Sequence, residues 1–274
     1  MQKDIKLVIC DIDWTLVCRE NRFLSEFTKN IFETMHKNGV YFGIGSGRPI
    51  DEVTPTYDSW ELSFKSDVII GLNGVQIWDE HSQKLYENYK LKKEWIREIV
   101  EMTKPLNVNP YMYYHGGFLA MKDDENMHLT AERNHKPLYI AKDIDEFASE
   151  DNAKILMRIQ ANQMNEFESY IKKFPSPYYK EFKTQETLME FTNSKISKGV
   201  ALIDYCKQAN IPLEKVIAFG DTTNDNSMLK NAGIGVCLLN GSDDTKAIAD
   251  AITDYPVEKD GVAHYLNDHI FNYF

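Results

Sequence analysis

Short apolar runs that stop abruptly at polar or glycine residues set the rhythm of this chain. Lys6 to Cys10 is one such run, ending at Asp11. It has the character of a strand buried on both faces, as in parallel sheets. Ser25 can cap a helix whose apolar positions Phe27, Ile31, Phe32 and Met35 recur at helical spacing, and Gly39 stops it. Val40 to Ile44 predicts the next strand, ending in Gly45-Ser46-Gly47, and Val68 to Ile70 a third, ending at Gly71-Leu72-Asn73-Gly74. The same alternation resumes late. Val200 to Ala209, Ser227 to Ala232 and Thr245 to Ala251 predict helices, and Val216 to Phe219 and Ile234 to Leu238 predict strands. Strand, helix, strand in this order indicates βαβ units of a doubly wound sheet.

Between Gln83 and Glu190 the texture differs. Helical stretches (Lys92 to Thr103, Asn165 to Phe174) alternate with longer β-like ones: Pro110 to Met121, Lys154 to Ala161, Tyr178 to Lys183 and Thr187 to Phe191. Such a pattern predicts an α+β insertion with a mostly antiparallel sheet. The expected architecture is an α/β core with a doubly wound parallel sheet, built from residues 1–82 and 191–274. Residues 83–190 form a separate inserted domain.

Composition narrows the function. The 274 residues carry a formal charge of −11, which argues against a nucleic-acid backbone or an anionic membrane surface as main partner. A small phosphorylated substrate is not excluded, because a bound metal dominates its local field. No apolar run approaches the roughly 18 residues of a membrane span. The N-terminus shows no basic-then-apolar signal, so cytoplasmic residence is the expectation. The four cysteines lack C-x-x-C spacing, and Cys10 and Cys237 read as small buried hydrophobes.

In open α/β sheets ligands bind outside the carboxyl ends of the strands. Asp11, Ser46, Asn73 and Asp221 each fall at such an end, so four polar groups converge on one place. A carboxylate at Asp11 can attack phosphorus and form an aspartyl phosphate, dividing one hard hydrolysis into two easier steps. A second carboxyl at Asp13 can protonate the leaving oxygen and then deprotonate the attacking water. A hard Mg²⁺ ion takes carboxylates, phosphate and water, with Asp11 and Asp221 as direct ligands and Asp225 in support. Ser46 offers its hydroxyl, and neighbouring backbone N–H groups such as that of Gly47 complete a phosphate cradle. Lys198, opening a helix, adds fixed positive charge there. Arg48 is either a substrate contact or a surface ion pair, and Asn73 either a site residue or a turn former.

Asp11-Ile12-Asp13-Trp14-Thr15, Ser46-Gly47-Arg48, Lys198-Gly199 and Gly220-Asp221-Thr222-Thr223-Asn224-Asp225 together resemble the haloacid dehalogenase-like phosphatases. The resemblance is greatest to the Cof-type, sugar-phosphatase-like branch. Asn73-Gly74, Lys246 and Asp260-Gly261-Val262 also match positions typical of that branch. The resemblance implies a Rossmann-like core and an inserted cap that chooses the substrate. It also implies Mg²⁺, Asp11 as nucleophile, Asp13 as acid/base with its backbone carbonyl on the metal, and Lys198 as charge neutraliser. Asn224 joins the phosphate- and substrate-binding set. One departure stands out: the family usually has glycine where this chain has Trp14. An indole there either walls the pocket or packs as core under Val17 to Leu24.

The leading expectation is an Mg²⁺-dependent phosphomonoester hydrolase acting on a small phosphorylated metabolite, most naturally a sugar phosphate, as a monomer or small homo-oligomer. A phosphomutase on the same core, or a catalytically weak ligand-binding regulator, are the alternatives.

Overall fold

A computed structural model of the chain describes residues 4–18 and 22–273. Before the insertion come β1 (Leu7–Cys10), β2 (Tyr41–Gly45), β3 (Val68–Gly71), β4 (Gln76–Asp79) and β5 (Lys84–Glu87). The middle of the chain supplies β6 (Asn109–Tyr114), β7 (Gly117–Ala120), β8 (Leu138–Ile140), β9 (Lys154–Arg158), β10 (Tyr179–Gln185) and β11 (Leu188–Asn193). The end returns β12 (Val216–Gly220), β13 (Ile234–Cys237) and β14 (Ala251–Ile252).

The larger unit, Met1–Asn88 with Ile196–Phe274, holds a sheet in the order β14-β13-β12-β1-β2-β3-β4-β5. Pairing is parallel from β14 to β3, and β4 and β5 extend the sheet as an antiparallel hairpin. Successive residues of the central strands enter different cores. Val8, Cys10, Phe42, Ile44, Ile217 and Phe219 pack on one face, while Leu7, Ile9, Val68, Ile70, Val216 and Ala218 pack on the other. A sheet covered on both sides explains why its strands read as continuous apolar runs rather than alternating ones. The helix Glu26–Lys37 covers the first face, capped as its sequence predicts, with the Ser25 side chain accepting from Thr28 N. Helices Lys198–Gln208 and Asn226–Asn231 cover the second.

The smaller unit, Tyr89–Lys195, carries its own sheet in the order β10-β11-β9-β6-β7-β8. All its pairings are antiparallel except β7 with β8. Its core gathers Ile96, Ile99, Phe147, Ile155, Met157, Phe167 and Phe191, separate from those of the larger unit.

Several details differ from the sequence expectation. The units divide after Asn88 and Lys195, not after residues 82 and 190. β5 pairs with β4 in the larger sheet, and β11 stays in the smaller sheet through Asn193. The Pro110 to Met121 stretch is two strands, because His115 (φ 45°) and Gly116 (φ 74°) turn the chain into a hairpin. The helix expected from Thr245 to Ala251 spans Asp243–Lys246 instead. Asp250 exchanges hydrogen bonds with Gly235, receiving Gly235 N on its carboxylate at 2.8 Å, and so draws Ala251 into β14. Helix Ile50–Asp58 was hidden by Pro55 inside it. Among the described residues no helix is long and apolar enough to cross a membrane.

Gly199 shows how tightly the second face is packed. A Cβ there would lie 2.2 Å from the backbone oxygen of Ser227, so helices Lys198–Gln208 and Asn226–Asn231 meet backbone to backbone. Gly199→Ala should lower stability by about 1–3 kcal/mol in urea denaturation, the usual cost of overpacking a closed contact. A change below about 0.5 kcal/mol would show that the two helices part freely.

Candidate active site

Every polar residue of the site stands just past a strand end or at a helix start. Asp11 follows β1 and is tied to β12 by its backbone N–H donating to Phe219 O at 3.0 Å. The next residues coil tightly: Leu16 N and Val17 N both donate to Ile12 O, at 2.9 and 3.0 Å, and Trp14 N donates to Val17 O at 2.7 Å. Buried Ile12 anchors this hairpin in the first core. Asp13, bridged to Val17 across this turn, is exposed.

At the centre lies Lys198, first residue of its helix and wholly buried. Its Nζ donates to Asp11 Oδ1 at 2.7 Å and to Asp225 Oδ1 at 2.5 Å. Asp225 Oδ2 accepts from the backbone N–H groups of Asp221 and Thr222, at 3.1 and 3.3 Å. Gly220 is obligatory beside it, since a Cβ there would fall 2.4 Å from Asp225 Cβ. Asp221 Oδ1 accepts from the Thr15 hydroxyl at 3.0 Å. Asp11, Asp221 and Asp225 are all buried and present ligand atoms within 4.8 Å of one another.

The rim is built from the ends of β2 and β3. Ser46 donates its N–H to Ile70 O at 2.7 Å and accepts on its carbonyl from Asn73 N at 3.0 Å. The Ser46 hydroxyl oxygen accepts from Arg48 N at 3.1 Å. Asn73 is left-handed (φ 56°), and its Oδ1 accepts from Asn224 Nδ2 at 3.2 Å. Gly47 lies against the same Asn73 side chain. Arg48 grips Asp13 with both Nε, at 3.0 Å to Oδ2, and Nη2. The structure thus brings the sequence-selected residues into one cluster: Asp11, Lys198, Asp221 and Asp225 buried, Ser46, Gly47, Asn73 and Asn224 on the rim, and Arg48 joined to Asp13.

The geometry is accompanied by agreement with known proteins. A family model described as haloacid dehalogenase-like hydrolase matches residues 8–266. The chain belongs to that family. It is a Cof-type phosphatase of the haloacid dehalogenase-like superfamily. It is 27% identical to the 5-amino-6-(5-phospho-D-ribitylamino)uracil phosphatase YitU of Bacillus subtilis, covering 96% of this chain and 97% of that one. YcsE, a phosphatase of the same description from that organism, is 29% identical over 95% of this chain and 94% of its own. The fold is shared with TM0651 from Thermotoga maritima at a TM-score of 0.83 and 23% identity, covering 96% and 97% of the two chains. The sugar phosphatase BT4131 superposes at 0.78 with 22% identity over 96% and 98%.

Three carboxylates around one ammonium leave this phosphatase with surplus negative charge inside its site. Burial pushes the Asp11 carboxyl well above its ordinary range, with Asp225 and Asp221 adding to the effect and Lys198 opposing it. Asp221 is pushed up to about 7 by burial and by the Asp225 charge. Burial works against the Lys198 charge, but Asp11 and Asp225 outweigh it and hold its pKa above the usual lysine range. All-oxygen donors and surplus anionic charge suit a hard dication such as Mg²⁺. Asp225 has both oxygens engaged by Lys198 and the backbone, so within this set it acts first as the partner of Lys198.

Sequence reasoning missed three contacts: Thr15 on Asp221, Arg48 on Asp13, and Asn240 Nδ2 donating to Trp14 O at 2.8 Å. Thr15 was visible as the last residue of its motif; the other two pairs carry no local signal. Trp14 fits neither expectation fully. Its side chain is 38% exposed, which removes it from the core, and part of the expected packing segment, residues 19–21, lies outside the described residues. Its backbone is left-handed (φ 65°), the conformation that explains a glycine at this position in the family. Trp14→Gly should therefore leave thermal stability unchanged or raise it by up to about 1 kcal/mol, by relieving a left-handed L-residue. A loss of several kcal/mol in thermal denaturation would restore the packed reading.

Proposed function

We propose that the phosphatase hydrolyses a small phosphorylated metabolite, a sugar phosphate or a polyol phosphate, through an aspartyl-phosphate intermediate with Mg²⁺ bound at Asp11 and Asp221. The observation that carries this reading is the Asp11–Lys198–Asp225 triad beside Asp221, with Asp13 one residue beyond the buried nucleophile's neighbour. Among the described residues only Lys198 bonds the Asp11 carboxylate, at Oδ1, which leaves Oδ2 as the attacking atom.

Asp11 Oδ2 attacks phosphorus in line, and the departing alkoxide takes the proton held by Asp13. Water then attacks the acyl phosphate while Asp13 accepts its proton, and inorganic phosphate leaves Asp11 regenerated. The Ser46 hydroxyl and the Gly47 N–H hold phosphoryl oxygens, and Lys198 favours the ionised form of Asp11 against its burial and orients it. When bound, Mg²⁺ supplies further charge neutralisation for the phosphoryl oxygens, held by Asp11, Asp221 and the Asp13 carbonyl. The guanidinium gripping Asp13 is itself a phosphate-binding group, so arrival of a dianionic ester draws Arg48 away and frees Asp13. The smaller unit acts as the cap that selects the leaving group. Cytoplasmic residence agrees with this substrate class. YitU and YcsE, whose described substrate is a ribitylamino phosphate, support a polyol-type leaving group.

Asp11→Asn should abolish phosphate release from a panel of phosphorylated metabolites, and Asp13→Asn should slow it by about 10²–10⁴-fold. More than a few per cent of activity in Asp11→Asn would end the covalent reading. The metal reading has its own check. Burial and the Asp225 charge push Asp221 up to about 7 from an ordinary 3.8, so its raised value stabilises the fold fully below pH 3.8 and the benefit is lost as pH climbs through about 7. Mg²⁺ binds the ionised form and relieves the repulsion that then develops. The rise in Tm on adding Mg²⁺ should therefore be larger at pH 8 than at pH 5.5, and an equal or larger rise at pH 5.5 would remove Asp221 from the ligand set.

A further inference from the structure

Asn240 lies in the turn after β13, 226 residues from the hairpin that carries Asp13. Its two amide atoms do different work. Nδ2 donates to Trp14 O at 2.8 Å, and Oδ1 accepts from Val257 N at 2.9 Å. Carbonyl and N–H partners on opposite ends leave only one orientation of the amide, since the other would oppose donor to donor and acceptor to acceptor. The turn is itself fixed near the metal-binding residues: Gly241 N donates to Leu238 O and Ser242 N to Asp221 O, each at 2.8 Å.

Trp14 is where this matters. Its left-handed backbone costs an L-residue about 1–2 kcal/mol, and such a conformation persists only where the surroundings enforce it. Two hydrogen bonds enforce it here, from Trp14 N to Val17 O and from Asn240 to Trp14 O. They fix the peptide planes on both sides of Trp14, and the first of those planes begins at Asp13. A glycine at this position needs no such enforcement; an indole does.

We propose that Asn240 is a positioning residue for the acid/base step: by holding the Trp14 carbonyl, it sets the direction in which the Asp13 carboxyl points. It touches neither substrate nor reacting atoms. The proposal rests on the phosphatase mechanism above and extends it, assigning a role in proton transfer to a residue outside the four motifs.

Leaving-group chemistry separates this role from a merely structural one. An alkyl phosphate expels a strongly basic alkoxide that must be protonated, whereas p-nitrophenyl phosphate expels a stable phenolate that needs little help. The experiment compares kcat/KM, which reports only the steps up to departure of the leaving group, for the two esters in the full-length wild type, Asn240→Ala and Asn240→Asp with Mg²⁺ present. Asn240→Asp keeps an acceptor for Val257 N but loses the donor to Trp14, so it isolates the bond in question. Asn240→Ala adds no charge, so a loss shared by both variants is not an effect of the new carboxylate. Both variants should lose at least about 10-fold on the alkyl ester and less than about 3-fold on p-nitrophenyl phosphate, a fraction of the 10²–10⁴-fold worth of general acid–base help.

Equal losses on both esters, with a fall in Tm, would make Asn240 a structural residue only and overturn the proposal. No loss on either ester would overturn it as well. Failure of the underlying mechanism reads differently: Asp11→Asn would then retain turnover, whatever Asn240 does.

Discussion

One buried ammonium organises this molecule. Lys198 has no exposure to solvent, and an unpaired charge in that position would cost several kcal/mol. It is tolerable only because two carboxylates, Asp11 and Asp225, meet it at 2.7 and 2.5 Å. Those three residues come from the two ends of the larger unit, so the ion cluster can form only when β1 lies beside β12 with the helix Lys198–Gln208 docked on the second face. The same geometry that satisfies the lysine aims the Asp11 carboxylate and crowds it against Asp221. Fold and chemistry therefore share one constraint. The surplus negative charge is left over from that constraint, and it is what the proposed dication would offset.

Much of this was legible in the sequence because parallel strands buried on both faces leave a strong trace. Leu7–Cys10, Val68–Gly71 and Val216–Gly220 are short apolar runs with a polar residue at the carboxyl end, so strand and site announce themselves together. The elements that escaped carry weaker physics. β5 reads Lys-Leu-Tyr-Glu with Leu85 exposed, too short and polar for a periodicity argument, yet it moves the unit boundary. Helix Ile50–Asp58 keeps Pro55 at the cost of one backbone hydrogen bond, which its buried Val53 and Tyr57 offset by packing. At the site, groups positioned by backbone were foreseeable, while groups positioned by another side chain were not. Arg48 is 35 residues from Asp13, and nothing in either neighbourhood selects the other.

The smaller unit has a different logic. Its core is its own, and so is a buried ion pair, Lys154 with Glu190 at 2.9 Å, each side chain almost wholly covered. Replacing such a pair by apolar residues is often neutral or stabilising, so it is a poor explanation of stability. It does settle register. Lys154 lies opposite Thr192 and Glu190 opposite Leu156 on the β9–β11 ladder, and a one-residue slip would bury either charge alone on the apolar face. A unit that fixes its own register can vary its surface without disturbing Lys198. That independence is what the selectivity role proposed for this unit requires.

Trp14 tests how far a motif can bend. The family's glycine at that position is a backbone requirement, not a demand for empty space, because φ there is 65°. A tryptophan can meet the requirement if the strain of about 1–2 kcal/mol is distributed over bonds that the hairpin already makes. Trp14 N on Val17 and Asn240 on Trp14 O are such bonds. The substitution thus converts a permissive hinge into a held one: the indole narrows the hairpin's conformations, and the hydrogen bonds choose among those left. A residue that looks like a defect in the motif then makes Asp13 less free than glycine would. In the acid/base role proposed for Asp13, the group first donates a proton and later accepts one along nearly the same line, and reduced freedom would favour both steps.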